Sequence, residues 1–298
     1  MKLAACRLGF ALLTVALVGG AANAQTVSLR PKFEVGEETR YRMAMRSSTA
    51  GGLPGAADPA ELKQLMEQTI GLKMKTVATD PEGSSTVEMV YESIKFSLDS
   101  AMMKTTFDST KPKTADGDDP VAAVMRSIVG TTMTVVFDRD GNITSVKGGE
   151  SLAAAAGGMG GLVGGLTNAG QVRELFNNIF TIKRAKGSAE VGEKWKTEDA
   201  VDVGPLGKFT MTTESKLVRA SGGRADVEFV GTITPGPESA GAGVQIKDSA
   251  YTGSYVWDTR RGCLESMKSD QKIAIEGDVG GMKLSSKSDI KMEVTRVK

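Results

Sequence analysis

The chain has 298 residues, with 37 basic and 36 acidic side chains, no histidine and two cysteines. This near-neutral balance gives no electrostatic reason to expect a nucleic acid as a partner. Without histidine, serine–histidine and cysteine–histidine nucleophile pairs are excluded, as are zinc or copper sites built on imidazole. A general acid or base would have to be a shifted carboxylate or lysine, and the sequence has no recognisable catalytic or nucleotide-binding motif. We therefore expect a protein that is not an enzyme and that holds no metal ion and no cofactor.

The first 24 residues have the features of a secretory signal peptide. Lys2 and Arg7 precede the apolar stretch Leu8 to Val18, and Ala22-Asn23-Ala24 forms a small-residue cleavage site. The apolar stretch is too short for a membrane-spanning helix, so we expect no transmembrane segment in the mature chain. The sequence predicts cleavage near Ala24 and export to the periplasm or the extracellular space.

Cysteine usage predicts a fold without an internal disulfide. Cys6 precedes the apolar stretch of the signal peptide, whereas the acylated cysteine of a lipoprotein follows that stretch. Cys263 is then the single cysteine of the mature chain. Two interpretations of Cys263 remain open: a small buried strand residue, or one partner of an intermolecular disulfide.

Alternation of apolar and polar residues predicts strands through most of the first half. Tyr41, Met43 and Met45 alternate with arginines, as in a half-buried strand. After Tyr91 the apolar residues move from the odd-numbered to the even-numbered positions of the strand, which predicts a β-bulge near Glu92-Ser93. Asp58-Pro59-Ala60-Glu61 has the residues of a helix N-terminus, so the sequence also predicts a helix over residues 59–70.

Two more helices and a hairpin are predicted before the last strands. Asp119-Pro120 begins a second helix, and residues 131–147 form a hairpin. An alanine- and glycine-rich segment, Ser151 to Gly170, leads into a third amphipathic helix with Val172 to Ile182 on its apolar face. From about residue 186 onward, clean alternation predicts antiparallel sheet with one face in water.

The two halves of the chain share sequence features. The hairpin Val136 to Lys147 matches Val256 to Lys268, with one extra turn residue in the second copy. Val35-Gly36-Glu37 likewise recurs as Val191-Gly192-Glu193. These matches predict duplication of a β-rich unit, and convergent hairpin chemistry is the alternative.

The predicted fold class is mainly β (α+β). We expect a large bent antiparallel sheet or open half-barrel of about ten to twelve strands, as one sheet or as two duplicated halves, with about three amphipathic helices covering its apolar face. The predicted units are a signal peptide (1–24), a first β-rich half with two helices (25–150), the Ala/Gly-rich segment plus an amphipathic helix (151–185) and a second β-rich half (186–298).

Four short motifs carry a resemblance to a family. They are Gly36 to Met43, Phe137 to Gly141, Val191 to Trp195 and the hairpin Trp257 to Met267. With these motifs the chain resembles an uncharacterised family of exported bacterial β-rich proteins, a domain of unknown function. The resemblance implies no activity and no site residues. The expected architecture is similar to the open barrels of bacterial lipoprotein carriers, which shelter acyl chains between sheet and helices.

Asp138-Arg139-Asp140-Gly141-Asn142 is the candidate cation site. Clustered carboxylates before a glycine suit calcium, but the loop lacks the downstream bidentate glutamate. The matching segment that begins at Asp258 keeps the first aspartate and the glycine but loses the second acid. Both copies retain the first aspartate and the glycine, the two residues that stabilise a hairpin turn, so we expect a turn and no metal ion here.

Methionine provides the main indication of function. Seven methionines lie at the alternate positions of predicted strands that carry the apolar residues. Two leucines of the Ala/Gly-rich segment are expected to touch the same surface. The candidate apolar-ligand surface comprises Met43, Met45, Met74, Met89, Met211, Met282, Met292, Leu162 and Leu166. Flexible, polarizable methionine accepts ligands of varied shape, although ordinary core filling is the alternative interpretation.

Two functions therefore remain open. The first is a non-catalytic exported envelope protein that binds an apolar ligand, a lipid or a lipoprotein in the concavity of the sheet. The alternative is a structural or protein-interaction module of the cell envelope with no small-molecule ligand. Residues 153–170 are expected to form either a flap over the sheet or a linker between the halves.

Overall fold

A computed structural model describes residues 26–52, 63–101, 103–149, 166, 168–182, 187–202, 208–236, 244–279 and 282–297. The predicted signal peptide, most of the Ala/Gly-rich segment and Leu162 lie outside these residues. The signal peptide and the flap therefore remain predictions.

Within the described residues, twelve strands form one antiparallel sheet and two short strands form a second. In chain order the strands are β1 (Thr26–Ser28), β2 (Glu38–Gly52), β3 (Lys63–Thr79), β4 (Ser85–Ser100), β5 (Lys104–Asp108), β6 (Thr132–Phe137), β7 (Ile143–Lys147), β8 (Ser188–Glu190), β9 (Lys194–Asp202), β10 (Lys208–Ser221), β11 (Arg224–Pro235), β12 (Val244–Asp258), β13 (Cys263–Val279) and β14 (Met282–Val297). This architecture confirms the predicted large antiparallel sheet.

Strand order joins the two halves of the chain into one sheet. The order is β7-β6-β4-β3-β2-β14-β13-β12-β11-β10-β9, with β5 paired to β4 and β1 paired to β8 in the small sheet. The last strand pairs with β2, for example Val294 with Met43. In the described residues β7 and β9 do not pair with each other, so the sheet is open rather than closed.

Two α-helices are described, fewer than the three predicted. Helix α1 (Pro120–Ile128) begins where predicted, because the Asp119 carboxylate accepts hydrogen bonds from the amides of Val121 and Ala122 at 2.8 and 3.4 Å. Helix α2 (Ala169–Phe180) begins with Asn168 as its cap. A short 3-10 helix spans Lys113–Ala115. Neither described α-helix has the length and apolarity needed to cross a membrane.

The prediction of a helix over residues 59–70 is wrong where the structure describes the chain. Residues from Lys63 onward belong to β3, while 53–62 lie outside the described residues. On the face of β3 that packs toward the core, which we call the inner face, the polar Gln68 lies between the apolar Met66 and Ile70. Gln68 therefore interrupts the apolar–polar alternation that would indicate a strand. Pairing of β3 with β2 and β4 on its two sides outweighs the local helix pattern.

The bulge predicted near Glu92-Ser93 is present. Gly71 of β3 faces Ser93, whereas the next residue, Leu72, faces Tyr91, so Glu92 is the extra residue. This insertion accounts for the parity change in β4, because it returns Tyr91 and Ile94 to the same buried face.

Helices α1 and α2 and the small sheet cover one end of the inner face. There the core is filled by the apolar sides of the helices and of the central strands. Its largest fully buried side chains include Trp257, Tyr91, Phe137, Phe176, Leu72, Met89 and Met125. A second, smaller cluster of Phe209, Ile233 and Ile275 lies toward the other end of the sheet.

The repeated Val-Gly-Glu motifs make identical turns. Gly36 donates a hydrogen bond to the Thr76 carbonyl and Gly192 donates one to the Leu217 carbonyl, at 2.9 and 2.7 Å. Both glycines have positive φ, at 88° and 91°. Thr76 and Leu217 in turn donate to the carbonyls of the glutamates that follow the two glycines. These matched contacts support the duplication hypothesis, which remains a prediction.

Candidate functional site

The candidate site is the part of the inner sheet face that lies beyond the helices. It begins at a cross-strand row in which Met45 pairs with Gln68 on one side and with Met292 on the other. Met292 in turn faces Ser269. Met45 and Met292 are partly exposed, whereas Met43 and Val294 in the adjacent row are buried.

From this row to the far end, aliphatic and thioether side chains are interleaved with hydroxyls. We call this surface the inner strip. Its members are all partly exposed: Met45, Met66, Met211, Ile246, Ile273, Ile290, Met292, Ser47, Thr49, Ser249 and Ser288. The register places them side by side on one face, since Ser47 faces Met66 and Ile290, and Ile273 faces Ser249 and Ser288.

The structure divides the predicted ligand surface into two groups. Met43, Met74, Met89 and Leu166 are buried in the main core, where the Tyr91 hydroxyl donates to the Leu166 carbonyl at 3.1 Å. In contrast, Met45, Met211 and Met292 belong to the inner strip. Met282 lies in β14, but its side chain is outside the described part, as is the whole of Leu162.

Sequence patterns do not identify several members of the inner strip. Met66 lies within the predicted helix over residues 59–70, and Ile273 and Ile290 show only the alternation of a strand. Extending the β3 alternation back from Ile70 across the polar Gln68 would have placed Met66 on the apolar face. The hydroxyls at Ser47 and Thr49 carried no apolar signal, and only the register reveals their position.

The outer face of the same strands carries exposed charged pairs. Arg46 contacts Glu67 at 3.3 Å, and Lys291 contacts Asp270 at 3.2 Å. Exposed pairs of this kind add little to stability, but they keep this face in water.

An open groove of about 380 Å³ crosses the same strands. It is lined by residues 44–46, 67–69, 268–270 and 291–293, which include Met45 and Met292.

An aromatic cluster marks the border between the covered core and the inner strip. The Phe229 ring lies between Tyr251 and Tyr255, with ring centroids 4.9 and 5.0 Å apart. Gly253 provides the space, because a Cβ there would lie 2.4 Å from Phe229 Cζ. The Tyr255 hydroxyl donates to the Asn178 carbonyl of α2 at 2.9 Å.

Both tyrosines of this cluster remain protonated hydrogen-bond donors. Burial raises the pKa of Tyr251 to about 12 and raises the pKa of Tyr255 well above its usual value. The cleft that they line with Asn178, Asp199 and Met211 has a volume of about 40 Å³. Ligand pockets commonly measure about 300–1,000 Å³, so an acyl-sized ligand does not fit inside this cleft.

Cys263 begins β13 and is half-buried, so it is a strand residue as expected, although not fully buried. Its sulfur accepts a hydrogen bond from Arg296 Nη1 at 2.8 Å. Arg296 also pairs with Asp258 at 3.0 Å. Burial raises the pKa of the Cys263 thiol despite the neighbouring guanidinium, which favours the unreactive protonated form.

The aspartates of the two matching hairpins have turn-stabilising roles. Asp138 Oδ1 accepts hydrogen bonds from the amides of Asp140 and Asn142 at 2.9 and 2.8 Å. Asp258 Oδ1 accepts from the amides of Arg260 and Arg261 at 3.1 and 3.0 Å. Among the described residues, no three histidine, cysteine, aspartate or glutamate side chains are grouped to hold a metal ion.

The sequence model described as "Family of unknown function (DUF6263)" matches residues 82–263, which is more than half of the chain. The chain belongs to this family. The expectation of an uncharacterised family is therefore confirmed. The DUF6263 match includes the Phe137 to Gly141 and Val191 to Trp195 motifs but begins after the Gly36 to Met43 motif.

No curated protein matches this DUF6263 chain. Solved structures to which the chain is similar include one titled for lipid–protein interactions in lipovitellin, at 10% identity and a TM-score of 0.49. That alignment covers 90% of this chain but only 26% of the lipovitellin chain. DynF from the dynemicin pathway of Micromonospora chersina has 8% identity, a TM-score of 0.23 and coverage of 96% and 92%. An outer membrane channel from Pseudomonas putida F1 has 8% identity, a TM-score of 0.26 and coverage of 90% and 98%. With TM-scores below 0.5, these three likenesses carry no functional argument.

Proposed function

We propose that this protein is a non-catalytic, exported protein of the cell envelope that binds an apolar ligand along the inner strip. The class of ligand is an acyl chain, carried by a lipid or by a lipidated protein. The observation that supports this proposal is the inner strip itself: a partly exposed row of thioether and aliphatic side chains that spans several strands. Apolar side chains that lie together and partly exposed on one face of a protein are typical of binding sites.

The chemistry of the inner strip suits an acyl chain better than a rigid ligand. Met45, Met66, Met211 and Met292 have unbranched thioether side chains that adapt to ligand shape. The hydroxyls between them are paired within the sheet, since Thr49 lies 3.2 Å from Ser288 and Ser249 donates to the Ile233 carbonyl at 3.0 Å. The cleft beside the end of α2 is too small for such a chain, so it would lie on the open face.

A second candidate function is a structural or protein-interaction module. The observation that favours it is the filled core: Met43, Met74 and Met89 are packed as ordinary core residues. In that case the inner strip would pack against a protein surface, and free lipid would not compete for it.

A binding titration distinguishes the two functions. Ile290 lies on the inner strip and the adjacent Lys291 lies on the outer face, so Ile290→Gln and Lys291→Gln place the same side chain on opposite faces. We expect Ile290→Gln to weaken binding of a fluorescent fatty acid roughly tenfold, because apolar contact is lost, while Lys291→Gln leaves it unchanged. Absence of fatty-acid binding to the unaltered protein, or equal effects of the two variants, would reject the acyl-chain proposal.

A further inference from the structure

A second cleft lies at the opposite end of the sheet from the inner strip, under the segment Pro31–Phe33. This segment, here called the strap, is held by the Lys32 amide, which donates to the Gly262 carbonyl at 2.9 Å. The Lys32 ammonium also donates to the carbonyls of Thr259 and Arg260 at 3.4 and 3.1 Å. The cleft beneath it measures about 50 Å³.

The cleft has apolar walls and a polar end. Phe33, Met74, Phe137 and Leu264 provide apolar lining, whereas Tyr41 and Cys263 contribute a hydroxyl and a thiol. One water needs about 10–15 Å³ of such space, so the cleft is larger than a single water site and fits a short organic molecule.

Trp257 provides the observation that points to a ligand. Its side chain lines the cleft and is only 1% exposed. Its indole Nε1 is buried without a hydrogen-bond partner among the described residues. Buried donors in native proteins are normally paired, so we expect an acceptor to reach this nitrogen when the strap moves and the cleft widens.

The charges around the cleft favour an anionic acceptor. Arg296 pairs with Asp258, and Arg261 pairs with Glu37. Lys32 bonds only to carbonyl oxygens, and no ion pair joins it to a carboxylate in the described part of the chain. Of the charged residues that line the cleft, Glu37 is already neutralised by Arg261, so the ammonium of Lys32 supplies the unbalanced positive charge.

We propose that this cleft binds a short-chain carboxylate. One carboxylate oxygen accepts the hydrogen bond of Trp257 Nε1, and the alkyl part lies against Phe33, Met74 and Phe137. The excess charge of Lys32 attracts the anion, and the strap must open to admit it. This site is separate from the inner strip and does not depend on the function proposed there.

Indole resonances provide a direct test, because Trp195 and Trp257 are the only tryptophans. In the full mature protein, the Trp195→Phe variant assigns the two indole N–H signals. We expect sodium butyrate to shift the Trp257 N–H signal downfield with saturation, while n-butylamine at equal ionic strength leaves it in place. The Trp195 signal is the internal control.

Variants make the test quantitative. We expect Lys32→Met to weaken butyrate binding severalfold through the lost charge, and Trp257→Phe to weaken it about tenfold in calorimetry through the lost hydrogen bond. A Trp257 signal unmoved by butyrate, or moved equally by butylamine, would overturn the proposal. So would a crystal structure grown with butyrate that shows an ordered water only at Nε1. Because the titration uses the unaltered indole, it remains decisive even if Trp257→Phe does not fold.

Discussion

At the scale of single residues, the pair of Arg296 and Asp258 is important for stability. The side chains are only 13% and 16% exposed and lie 3.0 Å apart. Asp258 also accepts two backbone hydrogen bonds in the hairpin turn. Removing one partner of such a pair leaves a poorly solvated charge, so we expect Asp258→Asn to lower the free energy of unfolding by about 2–4 kcal/mol in urea denaturation.

This effect should depend on pH. Burial raises the pKa of Asp258, but hydrogen bonds from the Arg261 amide and from Arg296 outweigh it and lower the pKa. The ionised carboxylate therefore stabilises the fold above about pH 4 and loses this role as the pH falls through the lowered pKa. We expect the deficit of Asp258→Asn to shrink below about pH 4. The exposed control Asp270→Asn should change stability by less than about 0.5 kcal/mol.

A second residue-scale prediction concerns Gly253. A Cβ there would lie 2.2 Å from the Lys268 carbonyl oxygen and 2.4 Å from the Phe229 ring. We expect Gly253→Ala to destabilise the protein by about 1–3 kcal/mol because ring and strand must both move. Near-ultraviolet circular dichroism should show loss of the tyrosine signal from this cluster. The adjacent, exposed Thr252→Ala is the control, and an equal effect in both variants would contradict the packing account.

At the scale of elements, the N-cap of α1 is the clearest local determinant. The Asp119 carboxylate accepts from the helix amides and from the Thr105 hydroxyl. Burial alone would raise the pKa of Asp119, but together these hydrogen bonds have the larger effect and lower it. Asp119→Ala should cost about 1–2 kcal/mol at neutral pH and less as the pH falls below about pH 4. Asp118→Ala, at the exposed neighbouring position, should have little effect on the melting temperature.

The two Val-Gly-Glu turns allow a test of the repeat. Gly36 and Gly192 share positive φ angles of 88° and 91°, and a Cβ at either would meet no atom within 4 Å. Gly36→Ala and Gly192→Ala should therefore each cost about 1–2 kcal/mol, through backbone strain alone. Urea unfolding should give nearly equal losses. A large effect at one turn and none at the other would argue against equivalent roles.

Local sequence patterns predicted an element correctly where one local feature, such as a helix N-cap or a β-bulge, determines it. The Asp119-Pro120 signal predicts α1, and the parity change predicts the bulge at Glu92. In residues 63–70 the local pattern resembled a helix, because Gln68 occupies an inward position on an otherwise apolar face. Pairing on both sides of β3 determines the outcome there, and that pairing is not visible in a local pattern.

At the scale of the whole molecule, the mainly β, antiparallel character followed from alternation, but the strand order did not. The pairing of β14 with β2 joins residues near opposite ends of the chain and makes one sheet of the two halves. The candidate site was predicted in part for the same reason. The alternation in β2 predicts that Met43 and Met45 lie on one face of the strand. Only the position of the helices determines that Met43 is buried in the core while Met45 stays partly exposed.

The central claim is that the exported protein carries an acyl-chain ligand on the inner strip. Native mass spectrometry of the protein purified from the periplasm or culture medium tests it most directly, with organic extraction to identify any adduct. The account predicts a chain that begins at Gln25, with a lipid or lipopeptide adduct that is lost in Ile290→Gln and retained in Lys291→Gln. A mature chain without any adduct, which also takes up none from added lipid, would contradict it.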